Sequence, residues 1–225
     1  MLTDVYVILA AILIFDGALM ALLMWAVTSE KYGKYRIRTP KTYRIPKSRK
    51  WVNTGLNSML SLVFLFAIIQ TFHGSLFHFD GAKGLTIFGE VIATLLFYDF
   101  CYYFMHRSMH HPKAMKFVHG VHHYVRFPTS LESIYLHPVE NLAGLGLLMA
   151  SVALLGPISV EAFCIVFFLH STFNIIVHSN LVLPHPVFKF FNFLALKHDL
   201  HHGKHLNRNY ASLTPFWDLM FGTYA

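Results

Sequence analysis

Apolar residues in this chain come in long blocks separated by short polar stretches. Residues 5–27 form the first block, long enough to span a hydrocarbon core that takes about 20 helical residues to cross. Asp4 precedes it where a signal peptide would carry basic residues, so a retained transmembrane helix is expected. Asp16 sits inside the block, where a charge is costly. It reads either as a polar contact within a helix bundle or as a protonated carboxyl without a role. Residues 52–72 and 85–105 form the second and third blocks, joined by a short outer loop at 73–84. Two shorter blocks, 142–155 and 160–177, are broken by Gly156-Pro157 and are near or below spanning length. They form a full hairpin or one that dips part-way. Thr129 followed by Glu132 fits a capping box and predicts a helix start there. The pattern predicts an all-α, multi-span bundle of four to five membrane helices. One integral membrane domain covers 1–225, with N-terminal membrane helices and a basic loop in 1–84. No internal repeat is visible, and no soluble electron-carrier domain is appended.

Composition strengthens the membrane reading. The 225 residues are 55% hydrophobic and 13% charged, whereas a soluble domain carries roughly 25% charged residues. The net charge of +7 is concentrated, because nine of the eighteen Lys and Arg residues lie between Lys31 and Lys50. That cluster suits a membrane surface better than nucleic acid, and the positive-inside rule puts residues 29–50 in the cytoplasm. Threading the blocks from there brings His106, and later His178 and the C-terminal stretch, to the same cytoplasmic face. Cys101 and Cys164 lie in apolar segments without metal spacing and read as buried thiols.

The sixteen histidines change the picture most. His106-Arg-Ser-Met-His110 is an HxxxH. His119-Gly-Val-His122-His123 and His198-Asp-Leu-His201-His202 are both HxxHH. His170, Asn174 and His178 are spaced by four. Residues three and four apart share a helix face, so each motif aims imidazoles together. About 0.1 HxxHH motifs would arise by chance at this histidine content, and two are present. Imidazole suits Fe, Zn, Cu and Ni, so the ligand type does not name the metal. The number does narrow the choice. A structural zinc takes four ligands, whereas His106, His110, His119, His122, His123, His178, His198, His201 and His202 make nine, enough for two metals. Asn174, His170 and His137 are candidates for a tenth ligand. Ligating histidines commonly pass their other N–H to a carboxylate, and Asp99, Glu140 and Asp218 are placed for that task. His73, His78, His111, His185 and His205 fall off the pattern.

The ordered set from Asp99 to Tyr224 resembles the fatty acid hydroxylase and sterol desaturase superfamily of membrane proteins. The resemblance is carried by Asp99 to His106-Arg107, His110, His119, His122-His123, His137-Pro-Val-Glu140, Asn174 and His178. It continues through His198-Asp-Leu-His201-His202, Asn209-Tyr210, Trp217-Asp218 and Phe221-Gly222-Thr223-Tyr224. It implies a catalytic region over 85–225 and a non-haem di-iron site (Fe2+/Fe3+) held by the nine histidines. It further implies O2 as co-substrate and hydroxylation or desaturation of a lipid C–H bond in lipid biosynthesis. The lipid, a sterol or fatty acyl chain, would enter from the bilayer. Electrons would come from an external donor, a small cytochrome or a ferredoxin with its reductase. Near His178 the family often has a further ligand, and Asn174 stands four residues before it. The basic segment would serve as a topology determinant or receive an acidic donor or anionic headgroups.

A membrane metal-ion transporter or metal-binding protein is the alternative, since ionisable residues in membranes mark ion paths. It fits less well, because the clusters follow the spans rather than cross the midplane. A haem protein would need paired histidines within spans, and a zinc hydrolase an HExxH motif that is absent here.

Overall fold

The computed structural model describes residues 1–39, 45–203 and 205–225. Its long helices are α1 (Leu2–Thr28), α2 (Lys47–Leu76) and α3 (Gly84–Met109). Short turns follow: α4 (Pro112–Ala114), a π-helical turn Met115–His119 and α5 (Gly120–His123). Then come α6 (Pro138–Leu155), α7 (Val160–Val177), α8 (Lys189–Gly203) and α9 (Phe216–Met220). Two-residue strands at Phe77–His78 and Ile158–Ser159 pair in parallel. Five helices (α1, α2, α3, α6 and α7) are long and apolar enough to cross a membrane. The two shortest have 18 residues each, about 27 Å of helix, close to the thickness of the hydrocarbon core. Local chemistry sets their starts. Pro138 occupies the first turn of α6, where its missing N–H costs nothing, and the Ser159 side chain caps α7 by accepting from the Ala162 N–H.

The bundle closes on one apolar core. Val5, Leu9, Leu65, Ile69, Tyr98, Leu148, Val152, Phe163 and Phe167 meet there. Ile14, Val63, Leu85 and Phe88 instead point outward and are more than half exposed, as lipid-facing side chains should be. Asp16 settles into the first of its two readings, since its carboxylate accepts the Thr172 hydroxyl of α7 at 2.8 Å.

Polar side chains on the first two helices hold the loops below the bundle. On α2, Lys50 pairs with Glu132, Asn53 and Asn57 donate to the Leu136 carbonyl, and Ser61 meets Asn141. The expected helix start at Thr129 is a five-residue 3-10 turn, Ser130–Ile134, although Glu132 does accept the Thr129 N–H. Pro138 ends that turn's chance of growing, because the residue before a proline is driven to extended backbone, and His137 has ψ 138°.

Two arginines of the basic segment are committed within the protein. Arg36 bonds the Val27 carbonyl, and Arg38 places its guanidinium on both Asp199 oxygens at 2.8 and 2.9 Å and over the Phe127 ring. Asn180 fixes the Arg38 backbone in both directions, accepting its N–H and donating to its carbonyl. Lys41 and Arg44 lie outside the described residues.

Candidate metal centre

The end of α3, the α4–α5 turns, the residue just after α7 and the last turns of α8 converge on one spot. There the nine predicted histidines fall into two groups. His106, His110, His119, His123 and His201 form one, and His122, His178, His198 and His202 the other. Within each group every residue offers a ring nitrogen within 4.8 Å of the others. The division follows from helix geometry. Adjacent residues on a helix point about 100° apart, so each His-His pair serves two sites. His123 and His201 face the first group while His122 and His202 face the second. His123 and His202 stack at 4.4 Å between the groups. The π-helical turn tunes this phase. Gly120 is required at its end, since a Cβ there would collide with the Met115 carbonyl oxygen.

The Nε2 atoms point at one another. His106 and His119 are 3.2 Å apart, His110 and His119 3.0 Å, and His110 and His201 3.2 Å. In the second group the separations are 2.8 Å for His178–His198, 3.0 Å for His122–His202 and 3.3 Å for His122–His178. The opposite nitrogens are anchored outward. Nδ1–H donates to the Tyr210 carbonyl from His106, to Arg208 from His201, to Asn174 from His178 and to Val125 from His202. A carbonyl only accepts, so these four rings keep Nε2 as a bare lone pair. At His106 and His119, whose Nδ1–H groups are both spent, two bare lone pairs face each other and repel unless a cation lies between them. Two imidazoles bound at about 2.1 Å and 90° apart on one ion would be about 3 Å from each other. His123 is 7% exposed, and neither of its ring nitrogens has a hydrogen-bond partner among the described residues, a cost that a metal would remove. The residues therefore fit a pair of metal ions with imidazole donors.

Burial keeps the rings neutral. His119 and His178 are pushed down to about 4 and His110 to about 2, in each case mainly by loss of solvation. His122, His123, His198, His201 and His202 are also held well below the usual imidazole range, for the same reason and by neighbouring histidines. The same histidines take up protons near 6.5 when unfolded. Stability from these groups is therefore full above pH 6.5 and lost as pH falls toward 4. In detergent, the metal-free protein should show a melting temperature that drops steeply over that interval; a flat profile would count against these buried neutral rings.

The remaining predicted residues find other places. Glu140 accepts from His119 Nδ1 at 2.7 Å. Asp99 does not reach a ligand. It lies two helical turns from His106 and accepts the N–H groups of Ser212, Leu213 and Thr214 and the Thr214 hydroxyl. Asp218 likewise accepts from Tyr210 and Ala211 and pairs with buried Lys197 at 3.2 Å. Both carboxylates thus grip the segment whose Arg208 and Tyr210 carbonyls orient His201 and His106. None of the tenth-ligand candidates joins a group. His137 caps α6, His170 meets Tyr98, and Asn174 turns its side chain to Ser133 while its carbonyl orients His178. Sequence reasoning missed Lys197, Arg38 and the carbonyls. A carbonyl leaves no mark in residue type, and Arg38 was hidden among other cations.

Two surface depressions adjoin the centre. One, about 700 Å³, is lined by His123, His202, Arg126 and Arg208; the other, about 690 Å³, by His110, Arg107, Lys113 and Tyr210.

The chain is 34% identical over 128 residues to methylsterol monooxygenase 1 of Rattus norvegicus, covering 56% of this chain and 43% of that protein. It is 34% identical over 127 residues to a sphingolipid C4-hydroxylase of Schizosaccharomyces pombe, covering 54% and 43%. Against the Delta(7)-sterol 5(6)-desaturase of Leptosphaeria maculans it is 30% identical over 131 residues, covering 58% and 35%. The chain thus spans less than half the length of these curated relatives. No solved structure matches it. The family model for fatty acid hydroxylase matches residues 91–223, which hold all nine grouped histidines and their carbonyl and carboxylate anchors, and the chain belongs to that family.

Proposed function

We propose that this chain is a membrane oxidoreductase that uses O2 and two electrons to hydroxylate or desaturate a C–H bond of a lipid, a sterol or a fatty acyl chain. The observation that carries this reading is the pair of adjoining groups of converging Nε2 atoms. Relatives named as a sterol monooxygenase, a sterol desaturase and a sphingolipid hydroxylase support the lipid substrate class. The nine histidines would hold two iron ions, five rings at one and four at the other. Bound iron would supply the O2 chemistry.

The protein's own work is to hold and to exclude. Glu140 and the Arg208, Tyr210, Asn174 and Val125 carbonyls fix ring tautomer and direction. The apolar bundle above keeps the reacting lipid carbon away from water. The two depressions, bordered by Arg107, Lys113, Arg126 and Arg208, approach the rings from outside and suit an acidic electron donor such as a small cytochrome or ferredoxin. With Arg36 and Arg38 engaged internally, this mouth serves that role better than the basic loop. The basic loop supports a cytoplasmic position for this face, by the positive-inside rule. Residues 1–225 act as one integral membrane domain, with 85–225 catalytic. Transport finds no comparable support, because the grouped histidines gather at the ends of helices rather than along a path through the bundle.

Metal analysis of detergent-purified protein tests this directly. Two irons per chain are expected, with a coupled Mössbauer signal after iron-57 growth and oxidised product from sterol or acyl lipids. One tightly bound zinc and no O2 uptake would refute it.

A further inference from the structure

His170 is left over by the metal centre, yet it is not idle. Its Nε2 lies 2.9 Å from the Tyr98 hydroxyl, and the two rings meet edge-on at 5.0 Å. Tyr98 is 1% exposed and packed in the apolar core of the bundle. One turn along α3, the Tyr102 ring is 5.5 Å from Tyr98, and Tyr102 is in turn 5.3 Å from the ring of His106. Tyr98, Tyr102 and His106 stand at i, i+4 and i+8, so the helix stacks them in a row. A line of touching π-systems therefore runs from a histidine of the first group into the dry interior, and it ends on a phenol with a base at hydrogen-bond distance.

That ending has a chemical meaning. A phenol that loses an electron becomes strongly acidic, and a buried radical cation is costly in a low-dielectric interior. Oxidation is practical only where the proton has an acceptor within reach, at about 2.6–3.2 Å. Tyr98 has one. The Tyr102 hydroxyl has no hydrogen-bond partner among the described residues, so Tyr102 can pass an electron but is poorly placed to hold the oxidised state.

We propose that Tyr98 is a redox-active tyrosine that discharges the centre when it has been oxidised by O2 with no lipid C–H bond in reach. One electron leaves Tyr98 and passes through Tyr102 and His106 to the oxidised metal centre, which is reduced by one electron. The phenolic proton moves to His170 Nε2. The products are a neutral tyrosyl radical and an imidazolium. The relay spares the surrounding histidines from oxidation. This inference rests on the O2-using metal centre proposed above.

The test is electron paramagnetic resonance on the full-length, iron-loaded protein, reduced without air, exposed to O2 without lipid and freeze-quenched. O2 consumption and iron content are recorded on the same samples. The wild type should consume O2 and show a radical whose hyperfine pattern changes on ring-deuterated tyrosine. Tyr98→Phe, with iron retained, should lose the signal and gain oxidised histidine in peptide mass spectra of the cluster segments. His170→Phe, which keeps the ring volume but not the base, should lose the signal too. O2 consumption with no tyrosyl radical, or an undiminished radical in Tyr98→Phe, overturns the relay and leaves the enzyme reading intact. No O2 consumption by iron-loaded wild type overturns both.

Discussion

His122→Ala and His201→Ala are each expected to reduce lipid oxidation to background and to strip metal from the protein. The two changes strike different groups. His201 Nε2 sits 3.2 Å from that of His110 in the first, and His122 sits between His178 and His202 at 3.3 and 3.0 Å in the second. Loss of a residue that merely orients a ligand typically costs 10–100-fold in metal affinity or activity, so loss of a ligand should cost more than about 100-fold. Both histidines lie outside the five spanning helices, so the variants should still appear in the membrane fraction. Iron per chain should fall from about two to one or fewer, and the surviving Mössbauer signal should lose its coupling. Full activity in both variants, with two irons retained, would sink the ligand assignment.

The sequence made these nine residues legible because helical spacing is a local rule. HxxxH and HxxHH place rings on one face whatever the rest of the chain does, and the apolar blocks place their ends together. Two things were not local. The split of each HxxHH between two groups depends on how α5 and α8 meet, which no spacing states. The tenth-ligand candidates shared helical phase with His178 or proximity to Glu140, but phase says nothing of what stands opposite. Opposite His170 stands Tyr98, 72 positions earlier, and opposite the Asn174 side chain stands the Ser133 carbonyl.

Asp16 and Arg38 make the same point from the other direction. Both lie outside the residues that match the family, and each reaches the matched region by a contact more than 150 positions away. Arg38 bears on Asp199, between His198 and His201, so the N-terminal segment braces the helix that supplies three of the grouped histidines. A run of cations in sequence signals a surface. It does not show which cation the fold will use internally.

Asp99→Ala is expected to be the most damaging change away from the ligands themselves. The Asp99 carboxylate is fully buried and accepts three backbone N–H groups and one hydroxyl from residues 212–214. Alanine leaves those donors without partners in a place water does not reach, and each unmet buried group costs about 1–3 kcal/mol, so a loss of about 3 kcal/mol or more is expected. The strand of chain from Arg208 to Thr214 should then loosen, and with it the carbonyls that hold His201 and His106 in their tautomers. Asp99→Asn separates charge from shape. Its amide offers one accepting oxygen and turns an N–H2 toward N–H groups, so it should recover little. Limited proteolysis after residue 203 should accelerate in both variants, and iron should become removable by a chelator that leaves the wild type intact. Equal protease resistance and equal iron retention in Asp99→Ala would mean that the segment 208–214 holds its place without the carboxylate, and that its carbonyls are positioned by Asp218 and Lys197 alone.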